Sequence, residues 1–290
     1  MAAILIAALA LAAPSPYRVS WPVDGAVAGA LVLAQPLPRL LPTGAPTRWT
    51  SELVPFDEGV KSNFSAAAAL RSDVLGVLTV ALPLAVQVGA GWGEQLGQAS
   101  LIYAQAITGT LLVTDVVKRL VHRPRPYVYG ADPAIQAFAD GEGDDAYMSF
   151  FSGHSASTFA AAVAGGYLFG LRSPSKRGRA LVWGGQLALA SATANLRVRA
   201  GRHFYSDVIV GAVVGTGLAL GIVRLHDRAG YRPSGLEWGA MGAGLVAGVV
   251  ATQIPSYPRS VTVPLAEASV VVPIPLVFDH GAGLGLATAL

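Results

Sequence analysis

Phe151-Ser152-Gly153-His154-Ser155 opens an apolar run that continues to Leu171, and the rest of the chain is organised around this junction. Ser152 is a residue type that caps helix N-termini, and Gly153 lets backbone come close to a ligand. The first turn of a helix carries unpaired N–H groups and the positive end of the helix dipole, which together make an anion site. His154 falls in that first turn, beside any anion held there. Taken alone, Ser-Gly-His before a helix is an ordinary capped start with an exposed histidine. Two further stretches, one on each side, change that reading.

Composition sets the class. Of 290 residues, 53% are hydrophobic and only 13% charged, with a mean hydropathy of +0.52. Soluble domains carry roughly 25% charged residues, so this is the composition of a membrane protein. The net charge of +3 is small, and the arginines sit in short clusters between apolar runs. Nucleic acid, which needs a broad basic surface, is not an expected partner. No cysteine is present, which excludes disulfides, thiol nucleophiles and Cys-ligated metals.

Three parts are expected along the chain. Residues 1–22 hold an apolar N-terminal segment, which resembles a signal peptide without a Lys/Arg n-region, and a short alternating strand at Tyr17–Trp21. Residues 23–253 form a membrane-embedded helical domain. Residues 254–290 form an extramembrane β-like tail, a candidate to pair with Tyr17–Trp21. Within the helical domain, Val23 to Leu41 is interrupted by Asp24, Pro36, Pro38 and Arg39 and makes a poor span. Six better spans follow: Asp73–Gly91, Leu96–Lys118, His154–Leu171, Ala180–Leu196, Asp207–Leu225 and Leu236–Gln253. Each is near the roughly 20 apolar residues that a bilayer crossing needs. The expected fold class is therefore all-α, an integral membrane helical bundle of about six transmembrane helices.

Alternation of the spans puts the loop at 121–150 and the turn at 197–206 on one face. The loop at 172–179 and the segment at 226–235 share the other. The 172–179 loop has four Lys/Arg and no acid, whereas Arg123 and Arg125 are accompanied by Asp132, Asp140, Glu142, Asp144 and Asp145. Positive charge in short loops marks the cytoplasm, so the face of His154 is expected outside: the periplasm, if the membrane is a bacterial inner membrane.

The first flank is Lys118-Arg119-Leu120-Val121-His122-Arg123-Pro124-Arg125-Pro126. Lys118 ends a span, and Arg125 is held stiff between two prolines. The second is Arg197-Val198-Arg199-Ala200-Gly201-Arg202-His203-Phe204-Tyr205-Ser206-Asp207. His203 and Asp207 lie four apart, so on a helix they share one face and the carboxylate can orient the imidazole. A snorkelling basic belt and a dipole-complementing Asp are the plain structural readings of these two stretches. All three stretches together supply two His, one Asp and at least three fixed cations on one face, with no Asp/Glu cluster of metal-ligand spacing. That set suits phosphoryl transfer without a metal or other cofactor, in which guanidinium forks neutralise the phosphate oxygens. One His attacks phosphorus and the other protonates the leaving oxygen.

These stretches resemble the signature of the type 2 phosphatidic acid phosphatase (PAP2) superfamily: Lys, six residues, Arg-Pro; then Pro-Ser-Gly-His; then Ser-Arg, five residues, His, three residues, Asp. Lys118…Arg125-Pro126 matches fully, while Phe151 stands in place of the proline and Leu196 in place of the serine. The resemblance covers roughly 70–250. It implies that His203 is the nucleophile that becomes phosphohistidine, Asp207 orients it, and His154 is the general acid. Lys118, Arg125, Arg197, Ser152 and Gly153 would bind the phosphate. It further implies a lipid phosphate substrate, a monoester or a pyrophosphate, handled at the outer face of the membrane. Two other readings share the same cradle: a vanadate-dependent haloperoxidase, a class that is soluble, and a non-catalytic lipid-phosphate binding or transport protein. Oligomeric state is not legible in the sequence.

Overall fold

The computed structural model describes residues 14–42, 55–253, 270–278 and 281–289. The signal-peptide-like segment over 1–13 lies outside the described residues. The helices are α1 (Trp21–Ala34), α2 (Ala66–Gly89), α3 (Glu94–Val121), α4 (Pro133–Gly141), α5 (Gly153–Arg172), α6 (Lys176–Arg199), α7 (Tyr205–Leu225) and α8 (Gly235–Gln253). Two compact units divide the chain, Met1–Arg259 and Ser260–Leu290. In the second, strand β1 (Val270–Phe278) pairs antiparallel with β2 (Gly281–Ala289), Val270 opposite Ala289 and Phe278 opposite Gly281. The first is an all-α membrane bundle.

Helix starts follow local chemistry. Ser65, Ser152 and Ser175 cap α2, α5 and α6, each side chain accepting a hydrogen bond from a backbone N–H three residues on. This satisfies a donor that a helix start otherwise leaves unpaired. The α3 helix stops at His122, whose φ of +49° is left-handed, ahead of Pro124 and Pro126.

The helix α5 is the centre of the bundle, with α2, α3, α6 and α7 packed around it. Its inward positions are small and fully buried, among them Ala156, Ala160, Ala161 and Ala164. Close approach is possible because the neighbours also present small residues. A Cβ on Gly215 of α7 would lie 2.0 Å from the Ala156 carbonyl oxygen, and one on Gly248 of α8 would lie 2.1 Å from that of Ala188 in α6. Gly211 and Gly215, and likewise Gly244 and Gly248, are four apart, the small-xxx-small spacing by which helices pack in membranes. The outer faces carry exposed Val74, Val77, Leu78, Ile209, Val213, Val246 and Val250, an apolar belt suited to acyl chains.

Among the described residues, four helical segments are individually long and apolar enough to cross a membrane: Ala66–Gly89, Glu94–Tyr129, Tyr205–Leu225 and Gly235–Gln253. The expected spans at 154–171 and 180–196 are present as α5 and α6 but fall outside that group. They are less apolar over their length, with Ser155, Ser157 and Thr158 in α5 and Gln186, Ser191, Thr193 and Asn195 in α6. The poor span at 23–41 is the 14-residue α1, about 21 Å long and short of a roughly 30 Å hydrocarbon core.

Among the described residues, the expected strand at Tyr17–Trp21 is not formed. Tyr17 makes an isolated bridge to Asp227 and buries its ring, the hydroxyl donating to the Leu168 carbonyl at 3.1 Å. Trp21 already begins α1, where Pro22 pre-sets the helical φ.

Candidate active site

One end of the bundle gathers the start of α2, the end of α3, the starts of α5 and α7, and the end of α6. The loops between them interlock through their backbones. Ser62 N–H donates to the Pro126 carbonyl, Tyr127 N–H to Gly201, Ser149 N–H to Arg123 and Ser152 N–H to Asp207. Gly201 has φ +73°, and a Cβ there would collide with the Asn63 carbonyl. The turn before His203 therefore accepts only glycine without displacement.

His203 is 1% exposed. Its Nδ1 lies 2.8 Å from the Ser149 carbonyl oxygen. A carbonyl can only accept, so Nδ1 carries the proton and Nε2 keeps its lone pair. Burial, then the charges of Arg125, Arg197, Lys118 and His154, hold its proton affinity well below that of an ordinary imidazole. The ring is thus neutral at pH 7.

Asp207 corrects the expected division of labour. Its Oδ2 is 3.8 Å from His203 Nδ1, while Ser149 holds that nitrogen. The fully buried carboxylate accepts from Arg123 Nη1, from Ser149 Oγ at 2.5 Å and from Phe204 N–H at 2.8 Å. Asp207 reaches the imidazole indirectly: it fixes the residue whose carbonyl orients the ring. Arg123 continues outward to Asp57 at 3.0 Å, and Ser206 N–H donates to the same Asp57 at 3.0 Å.

The cations sit around His203. Arg125 is 3% exposed and donates through Nε and Nη2 to Asp145 at 2.7 Å, and its buried Nη1 has no hydrogen-bond partner among the described residues. Burial pushes the Asp145 carboxyl up, but Arg125, Lys118 and Arg202 outweigh it and hold it below the usual carboxylate range. Arg197 donates from Nη1 to Ser72 Oγ at 3.2 Å and Asp73 Oδ1 at 2.7 Å, with its Nε buried and unpartnered. Lys118 lies against the start of α5, where a Cβ on Gly153 would be 3.6 Å from its Nζ. Ser152 is buried and spends its hydroxyl on the Ser155 N–H. His154 Nε2 lies 3.0 Å from Asp73 Oδ1. Phe151 and Leu196, which replace a proline and a serine of the pattern, are buried.

All eight residues singled out in the sequence therefore converge on this end. Sequence reading missed Asp57, Asp73, Arg123, Asp145 and Ser149. Asp73 had a usable signal, since an ionisable residue in a membrane helix is a functional candidate. Asp57 had none: it arrives through the docking of a loop.

A groove of about 870 Å³ runs from this cluster between α2 and α3, two helices that barely touch. Asp73, Lys118, Gly153 and His154 line one end, and Val77, Leu84, Val88, Leu96 and Leu111 line the rest. Its apolar length along α2 is about 20 Å.

The family model described as PAP2 superfamily matches residues 99–231. This stretch is a PAP2 superfamily domain. It runs from α3 through α7 and so holds all eight residues singled out in the sequence, Lys118, Arg125, Ser152, Gly153, His154, Arg197, His203 and Asp207. The helix α2, with Asp73, and α8 lie outside the match. No curated protein and no solved structure matches the chain. PAP2 superfamily membership supports phosphoric ester hydrolysis as the class of activity.

Proposed function

We propose that the protein is a metal-independent phosphatase that removes phosphate from membrane lipids, as monoesters or pyrophosphates, through a phosphohistidine on His203. The observation that carries the lipid substrate is the groove: a polar end with Lys118 and His154 continues into an apolar channel between two membrane helices. A soluble phosphate ester would leave that channel empty.

In the proposed reaction His203 Nε2 attacks phosphorus as the bond to the leaving oxygen breaks. Lys118, Arg125 and Arg197 neutralise the three equatorial oxygens, with the amides near Ser152 and Gly153. His154 gives its proton to the leaving oxygen, releasing the lipid alcohol, or the lipid monophosphate when a pyrophosphate is cleaved. Water then attacks the phosphohistidine, His154 takes its proton, and inorganic phosphate leaves. Lys118, Arg125 and Arg197 supply positive charge where a transferring phosphoryl group needs it, which supports charge neutralisation by side chains. The basic 172–179 loop supports an active site on the outer face of a bacterial plasma membrane.

The test is phosphate release by purified protein in detergent, in EDTA, from phosphatidic acid, an isoprenoid pyrophosphate and glycerol phosphate. Release from at least one lipid, well above that from glycerol phosphate, is expected. Activity lost in EDTA and restored by Mg²⁺ would refute the metal-free mechanism, and equal release from glycerol phosphate would refute the lipid reading.

A further inference from the structure

Asp73 belongs to α2, outside the stretch matched by the family model. One of its oxygens touches two groups at once: Oδ1 is 2.7 Å from Arg197 Nη1 and 3.0 Å from His154 Nε2. Three helices, α2, α5 and α6, meet at this oxygen. The approach of α2 is set by Gly76, three residues on and so on the same face. A Cβ at Gly76 would lie 3.1 Å from His154 Cδ2. With Ser72 Oγ at 3.2 Å, Asp73 takes up the Nη1 hydrogens of Arg197.

Under the function proposed above, which this inference deepens, Arg197 binds a phosphate oxygen and His154 protonates the leaving oxygen. An oxygen that contacts both therefore stands where the ester's own oxygens must come. The Asp73 side chain is 45% exposed and lines the polar end of the groove, while that of Arg197 is 7% exposed. A carboxylate at the mouth can swing aside; the guanidinium is fixed. We propose that Asp73 is an internal competitor for the phosphate site that keeps inorganic phosphate and short phosphate esters weak ligands.

The physical basis is a difference of affinities. Every incoming phosphate must displace the carboxylate from a charge-assisted contact, or bind beside its negative charge. That penalty is common to all phosphates. Only a molecule whose tail fills the groove offsets it with apolar burial. Inorganic phosphate and short esters have nothing to set against it, so both the product and soluble metabolite phosphates stay weak ligands.

The experiment compares wild type with Asp73→Asn and Asp73→Ala. For each protein it measures inhibition by inorganic phosphate and kcat/KM for phosphatidic acid and for glycerol phosphate. Both variants should bind inorganic phosphate more tightly, lowering its inhibition constant roughly fivefold to tenfold. The preference for phosphatidic acid over glycerol phosphate should stay as it is, because a penalty common to both cancels in the ratio. A role that is only structural would weaken phosphate binding. An inhibition constant that stays the same or rises in both variants, with the protein still folded by thermal melt, overturns the proposal. A wild-type protein that hydrolyses none of these esters would instead overturn the phosphatase reading itself, and the Asp73 assignment with it.

Discussion

His203 is held by a carbonyl rather than a carboxylate, and this affects how its neighbours act. The Ser149 carbonyl fixes the Nδ1–H tautomer, and Asp207 stabilises Ser149, Arg123 and the first turn of α7 at once. Removing the buried Asp207 carboxylate would leave Arg123 with one carboxylate partner, Asp57, instead of two and take the acceptor from Phe204 N–H, a cost of roughly 1–3 kcal/mol for each donor left unsatisfied, so effects at Asp207 combine the site with stability. The two histidines are cleaner probes. Replacing His203 removes the attacking atom, whereas replacing His154 removes only a proton donor, worth roughly 10²–10⁴ in rate. An aryl phosphate has a good leaving group and needs that proton less. His154→Ala should therefore keep much more of its activity on an aryl phosphate than on a lipid phosphate, and His203→Ala should lose both alike. Rescue of His203→Ala by the aryl ester would reverse the two roles. The spacing of His203 and Asp207 was enough to bring them within 4 Å. It could not reveal Ser149, because that contact depends on how a loop folds 54 residues away in sequence.

At the scale of elements, the long helices were legible because each is a predominantly apolar run between polar or Pro/Gly breaks. Their packing was only partly so. The glycine pairs at 211/215 and 244/248 state in the sequence which faces approach closely, but not which partner they meet. The strand expected at Tyr17–Trp21 failed because one alternating pentapeptide competes with Pro22 and with a buried slot for Tyr17 on α5. Loop charge bears on orientation. Arg172 donates to the Gln87 and Gly91 carbonyls at one end of the bundle, while Arg125 and Arg202 engage acidic loop residues at the other. Arg202 and Arg125 are thus neutralised locally, and the loop at 172–179 keeps the net positive charge. Reporter fusions at the two loops should place 172–179 in the cytoplasm and 121–150 outside; the opposite labelling would move the active site to the inner face.

The whole molecule joins a membrane bundle to a phosphate chemistry that needs no deep aqueous cleft. The bundle's centre, α5, starts at the site, so the anion-binding helix start and the groove between α2 and α3 open on the same point. In the proposed reaction different parts of one fold would meet the two halves of the substrate: apolar faces of α2 and α3 the tail, and the loops at the start of α5 the phosphate. This is why the residue types of the site were readable from three short stretches, while Asp57 and Asp145, which hold two of its arginines, were not. The central claim is that phosphate passes through His203. Rapid acid-free quenching of the protein during turnover of radiolabelled phosphatidic acid should trap an alkali-stable, acid-labile label on the peptide containing His203, absent from His203→Ala and accumulating in His154→Ala if the second histidine also activates water. Turnover at full rate with no protein-bound label, or label on any other residue, would contradict the account.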